Sequence, residues 1–276
     1  MVFQETKASP FHVSPQETAK VMGIVNLTPD SFSDGGQYLA PERAVERAQA
    51  LIAEGAAILD VGAESTRPYI GAKPVDEDEE FRRLAPLPEI VALGVPVSID
   101  TMKANVARRA LALGVTIVND VWGLQRDPDM AGVVADHDAW VVVMHNRAEV
   151  DPTLDILDAM RAFFDRTLEI AARAGIKPQR LCLDPGIGFG KTPAQSFRAI
   201  AGLARLQGYG LPLLVGASRK RFIDSVSPAP VSQRLAGSLA AHLAAVRHGA
   251  AVIRAHDVFE TVQALKVMKA INNAGV

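Results

Sequence analysis

A chain of 276 residues, 49% apolar and 22% charged, has the profile of a globular protein with a substantial core, and its length suits a single α/β barrel. Its 29 Lys and Arg against 31 Asp and Glu leave a formal charge of −2, so no basic excess exists to bind a nucleic acid. No apolar run reaches the roughly 18 residues of a membrane span, no apolar leader precedes residue 20, and the 1 cysteine, Cys182, forms no intrachain disulfide; the expectation is a cytoplasmic protein.

Residues 1–20 mix charges with prolines and read as an arm or hairpin covering the bottom of a domain over 21–276. Eight short aliphatic runs follow, at 21–26, 58–61, 97–99, 116–119, 140–144, 181–184, 213–216 and 251–254, each suited to a parallel strand buried on both faces. Helical patterns separate them. Pro41 opens the first and Gly55 stops it. Asp76–Glu80 reads as a solvated helix start, and Pro86 and Pro88 break that helix. Further helices are expected over 103–113, 128–136 (short), 152–174, after Thr192, over 231–248 and over 256–270. Unbroken strand–helix alternation predicts a single-domain (β/α)8 TIM barrel. The competing doubly wound sheet would carry Gly-x-Gly-x-x-Gly after the first strand, where none stands.

A barrel of this kind puts its chemistry where strands end, and here those ends are polar. They read Asn26, then Gly62 to Pro68, Asp100-Thr101, Asn119-Asp120, His145, Asp184, Ser218-Arg219-Lys220, and Arg254 with His256. Any one could be a cap or a solvated loop residue; all of them on one rim point to a site. Asp100, Asn119, Asp184 and Lys220 have the donors and acceptors to surround a flat heterocycle with an amino-pyrimidine edge. Thr66, Arg67, Arg254 and His256 suit an anion cradle. Asn26 and Asp34 are hard oxygen ligands for Mg2+ beside that anion. The turn-rich segment 28–36 suits a lid.

The run Asp184-Pro185-Gly186-Ile187-Gly188-Phe189-Gly190-Lys191 is not a Walker loop, because Pro185 stands where its first glycine belongs. Its glycines suit close passage of backbone beside a flat ligand, with Phe189 as a wall. Cys182 reads as a buried small hydrophobe and His145 as a structural histidine of the rim. His137, His242 and His248 read as ordinary helix or turn residues.

The segment 21–36 resembles the first signature of the dihydropteroate synthases, and 60–68 resembles the second. The runs 184–191, Ser218-Arg219-Lys220 and Arg254-Ala255-His256-Asp257 extend the likeness to about residues 21–270. The resemblance implies condensation of 6-hydroxymethyl-7,8-dihydropterin diphosphate with 4-aminobenzoate to give 7,8-dihydropteroate and diphosphate. It assigns Asp100, Asn119, Met144, Asp184, Phe189, Gly216 and Lys220 to the pterin. Asn26, Thr66, Arg67, Arg254 and His256 go to the diphosphate. Thr66, Pro68, Phe189, Ser218, Arg219 and Lys220 go to the aminobenzoate, and Asn26 with Asp34 to Mg2+. The catalytic set is then Asn26, Asp34, Arg67, Lys220, Arg254 and His256. A homodimer and sulfonamide inhibitors as aminobenzoate mimics are implied as partners.

Trp122, Asn146-Arg147 and Arg221-Phe222 depart from residues common in that family, without removing a named ligand. A pterin-dependent methyltransferase domain would share the pocket but would have no diphosphate to hold with residues such as Arg254 and His256. A non-catalytic pterin-binding paralogue would have no reason to keep the full set.

Overall fold

The computed structural model describes residues 9–14, 17–27, 40–64 and 75–275. Asp34, Thr66, Arg67 and Pro68, and the lid expected over 28–36, lie outside the described residues.

Eight parallel strands run β1 Lys20–Asn26, β2 Ile58–Gly62, β3 Val97–Asp100, β4 Ile117–Asp120, β5 Trp140–Met144, β6 Leu181–Asp184, β7 Leu214–Val215 and β8 Val252–Ala255. They pair in the order β6-β5-β4-β3-β2-β1-β8-β7. A bridge between Leu183 and Leu213 joins the two outer strands and closes the ring. Strand 7 is shorter than its apolar pattern because only Leu214 and Val215 keep the ladder with β8.

The helices are α1 Ala40–Ala53, α2 Glu77–Arg83, α3 Leu87–Val91, α4 Ala104–Ala112, α5 Met130–Asp136, α6 Ile156–Arg173, α7 Pro193–Ala201, α8 Arg221–Asp224, α9 Leu235–Arg247 and α10 Val258–Asn273. Capping explains where several begin. Asp155 accepts from the amides of Leu157 and Asp158, so α6 starts there rather than at residue 152. Thr192 and Gln195 form a reciprocal capping box ahead of Pro193. The pattern expected to be one helix over 231–248 divides into a 3-10 turn, Val231–Gln233, and α9. No described helix is long and apolar enough to cross a membrane.

Strand side chains alternate between two cores. Val25, Leu59, Val61, Ile99, Val118, Val141, Val143, Leu183 and Ile253 face outward and pack on the helices. Met22, Ile58, Ile117, Trp140, Val142, Cys182, Leu214 and Val252 fill the barrel interior. Phe11, 1% exposed, joins that interior cluster from residues that precede the first strand. Cys182 is fully buried in the same layer, as expected of a small hydrophobe, and burial pushes its thiol well above the ordinary range.

Candidate active site

Two residues beyond seven of the interior side chains, the same inward direction meets the rim. Ile58 leads to Asp60, Ser98 to Asp100, Ile117 to Asn119, Val142 to Met144, Cys182 to Asp184, Leu214 to Gly216 and Val252 to Arg254. The strand register carries this ring around the barrel, with Asp100 opposite Asn119 and Met144 opposite Asp184. One cavity at this end is lined by Asp100, Asn119, Val121, Met144, Asp184, Phe189, Gly216, Lys220 and Arg254. The structure therefore brings together all seven residues expected to hold a pterin, and adds Val121 and Arg254.

Asp60 was missed, although it belongs to the second signature. It is fully buried, and its Oδ2 accepts from Arg254 Nε at 2.6 Å and Asn119 Nδ2 at 3.2 Å. The signal was the period of two from Ile58. Arg254 Nη2 reaches Asp100 Oδ2 at 2.8 Å. Arg254 was expected to face an anion; here Nε and Nη2 point inward because two buried carboxylates need a counter-charge. One oxygen of each, Asp60 Oδ1 and Asp100 Oδ1, is buried with no hydrogen bond among the described residues. Burial raises the Asp100 carboxyl, Arg254 opposes that rise, and Asp60, Glu80 and Asp120 add to it. Burial disfavours the Arg254 charge, but Asp60 and Asp100 prevail and raise it.

Asp184 Oδ1 accepts from Gly186 N at 2.7 Å. Burial raises its carboxyl, against the pull of Lys220, the Gly186 amide, Lys191 and Arg254. Lys220 Nζ donates to Ile187 O at 2.5 Å and stands 4.6 Å over the Phe189 ring. A heterocycle entering here meets acceptors on one side, a cation on another, and an apolar wall of Val121, Met144 and Phe189.

The rest of the rim is organised by pairs. Ser218 Oγ accepts from His256 N at 3.2 Å and lies 3.0 Å from His256 Nδ1. Arg219 has φ 58°, donates from its amide to Ser238 Oγ, and pairs through its guanidinium with Asp257. Arg219 was expected to frame the aminobenzoate; its guanidinium is engaged with an acid four residues beyond β8's Ile253. Asn26 ends β1 half-buried, and its side chain makes no hydrogen bond among the described residues.

Asp120 belongs beneath the rim, accepting from the amides of Trp122 at 2.8 Å and Leu124 at 2.6 Å. His145 is buried against Phe163 and Phe164, with Nδ1 2.7 Å from Lys191 Nζ. Burial first, then Lys191 and Arg147, drive it down to about 2, so it stays neutral as a structural histidine would. His242 is buried too, and burial lowers it to about 4. The Asp76–Glu80 stretch is not uniformly solvated. Asp76 caps α2, but Glu80 is fully buried, accepting from Thr101 Oγ1 at 2.7 Å and Lys103 Nζ at 2.5 Å. Lys103 also reaches Glu64 at 2.7 Å.

The family model of pterin-binding enzymes matches residues 22–256. The dihydropteroate synthase of Bacillus subtilis is 42% identical over 274 residues, 99% of this chain and 95% of that protein. A solved structure of the Xanthomonas albilineans dihydropteroate synthase with 4-aminobenzoic acid superposes with TM-score 0.88 at 44% identity, covering 92% of this chain and 93% of that one. The Yersinia pestis enzyme, solved in complex with a sulfonamide drug, gives TM-score 0.86 at 38% identity, covering 92% and 94%.

Proposed function

Because the chain belongs to the pterin-binding enzyme family, we propose that it is a dihydropteroate synthase, a transferase that joins the dihydropterin methylene of 6-hydroxymethyl-7,8-dihydropterin diphosphate to the amine of 4-aminobenzoate. The observation that carries this reading is the single cavity holding Asp100, Asn119, Met144, Asp184, Phe189, Gly216 and Lys220. A methyltransferase domain would share such a pocket, but the relatives that match nearly the whole chain are synthases.

Each residue has chemistry suited to its part. The Asp184 carboxylate accepts N–H bonds from an amino-pyrimidine edge, Asn119 offers a donor and an acceptor, and Lys220 donates to a ring oxygen or nitrogen. Asp100, half-satisfied in the structure, has Oδ1 to offer. As the C–O bond breaks, the electron-rich dihydropterin carries the developing positive charge at its exocyclic carbon. The aryl amine attacks that carbon and releases its proton afterwards, so the step needs no strong general base. Thr66, Arg67 and His256 hold the departing diphosphate, with Arg254 adding positive field from inside the ring of carboxylates. Pro68, Ser218, Arg219 and Phe189 frame the aminobenzoate, where sulfonamides compete.

Mg2+ supplies charge neutralisation to the diphosphate when bound. Asn26 fits it, presenting a hard amide oxygen with no protein partner among the described residues, and Asp34 is the second ligand in this reading. The apolar groove between α9 and α10, with Val267 and Ile271 exposed, supports a homodimer; a monomeric mass in solution would remove that part. A reducing cytoplasm suits the buried thiol of Cys182.

The test is release of diphosphate by the purified protein. We expect release that requires both the pterin diphosphate and 4-aminobenzoate, with 7,8-dihydropteroate formed in equal amount. Release that ignores 4-aminobenzoate would refute the synthase reading.

A further inference from the structure

The turn that follows β6 closes around a buried amine that the reaction does not use. Lys191 is 2% exposed. Its Nζ donates to Gly186 O at 2.8 Å and Phe189 O at 3.0 Å, and lies 2.7 Å from His145 Nδ1 and 3.3 Å from His145 O. The turn therefore wraps its own lysine, which ties it to the end of β5.

The conformation depends on left-handed glycines, Gly186 at φ 64°, Gly188 at 81° and Gly190 at 55°. Such a chain has many alternatives, so a polar group in its centre is needed to select one. Three cavity-lining residues take their positions from the other side of this turn. Asp184 Oδ1 is held by the Gly186 amide, Lys220 Nζ by the Ile187 carbonyl, and the Phe189 ring faces Lys220. The aminobenzoate side shares Phe189 and Lys220 with this turn but has further anchors elsewhere, Ser218 by His256 and Arg219 by Ser238 and Asp257.

We infer that Lys191 is a positioning residue for the pterin half of the site, acting through the Gly186–Phe189 turn on Asp184, Phe189 and Lys220. This rests on the pterin reading of that cavity. Removing the amine takes a donor from the carbonyls of Gly186, Phe189 and His145, of which Gly186 keeps the Phe189 amide, and the turn relaxes to hydrate the others. Because misplacement by about 1 Å is felt strongly in a preorganised site, the pterin contacts weaken selectively.

Lys191→Met keeps the length of the side chain and removes the donor. We expect the KM for pterin diphosphate to rise about 10- to 100-fold, and that for 4-aminobenzoate, which shares only Phe189 and Lys220 with the turn, to rise by a factor at least about 3-fold smaller. Calorimetry with pterin diphosphate should show the same loss of affinity. His145→Gln, which leaves Lys191 in place with a weaker anchor, should raise the pterin KM by a smaller factor; it decides the matter if Lys191→Met does not fold. A merely structural role would lower thermal stability and active fraction in both variants without separating the two KM values. Asp184→Asn keeps the tests distinct. If Asp184→Asn weakens pterin binding but neither Lys191→Met nor His145→Gln does, the positioning role of Lys191 is wrong. If Asp184→Asn has no effect, the pterin reading of the cavity fails first.

Discussion

Arg254 balances two carboxylates that the barrel has removed from water, and its loss should show that balance. The guanidinium is 2.6 Å from Asp60 and 2.8 Å from Asp100, whose side chains are 0% and 8% exposed. Breaking a buried pair by removing one partner typically costs ~3–5 kcal/mol. In Arg254→Met the folded protein limits that cost by holding a proton on one carboxyl of the pair. A carboxyl protonated in the folded state and ionised in the unfolded state favours folding below its unfolded pKa. That contribution is lost as pH rises, at about 1.4 kcal/mol per unit. Burial already raises the Asp100 carboxyl of the parent to about 7, so the penalty of Arg254→Met should grow only above that, by about 3 kcal/mol between roughly pH 7 and pH 9. Urea denaturation of parent and variant at both pH values measures it directly. Adding Asp60→Asn to Arg254→Met should recover at least about 1 kcal/mol, since the second change removes a charge the first left unpaired. A penalty that does not vary with pH, together with simple additivity of the two substitutions, would refute the account of Arg254 as an internal counter-ion. Turnover by Arg254 variants must accordingly be referred to the folded fraction.

Three further outcomes follow from described contacts. His145 is depressed to about 2 and His242 to about 4, so the unfolded chain takes up protons that the folded one refuses once the pH falls below the ordinary histidine value. Stability is then full above that value and falls toward acid, each histidine accounting for about 1.4 kcal/mol between roughly pH 7.5 and 5.5. Denaturation of His145→Gln across that range should show a fall smaller by about that amount, and an unchanged fall would contradict the neutral assignment. Phe11→Ala empties the bottom of the barrel interior and should cost ~3–5 kcal/mol, with both KM values unchanged in steady-state assays; a shift of either KM would show that Phe11 reaches the site. Gly186→Ala combines φ 64° with a Cβ placed 2.0 Å from His145 O, so the turn cannot form; calorimetry should find no pterin binding, and retained affinity would show that the turn is not part of the pocket.

The legible part of this molecule was whatever depends on period and position along the chain. Apolar runs of three to six residues mark the strands, and the polar residues at or just after each run mark the rim, so Asp100, Asn119, Asp184 and Lys220 could be named from order alone and are found around one cavity. Asp60 was equally accessible. It sits mid-strand, one step of the inward period beyond Ile58, where an acidic residue in a buried run is already an anomaly that requires a partner. What order cannot give is the partner. That Arg254 turns toward Asp60, 194 residues earlier, rather than wholly toward the mouth follows from closure of the ring between β1 and β8. The pairing of Glu80 with Thr101 and Lys103 depends in the same way on α2 lying against α4, so a run of acids that looks like a solvated helix start conceals one buried carboxylate. Lys191 is the clearest case. In sequence it only ends a glycine-rich run that is not a Walker loop, whereas in the fold the three left-handed glycines bend the chain so that its amine faces its own backbone. A lysine's reach is fixed by the conformation of the residues before it. In this barrel the glycines that shape the pocket wall also turn Lys191 away from the ligand and into the support of that wall.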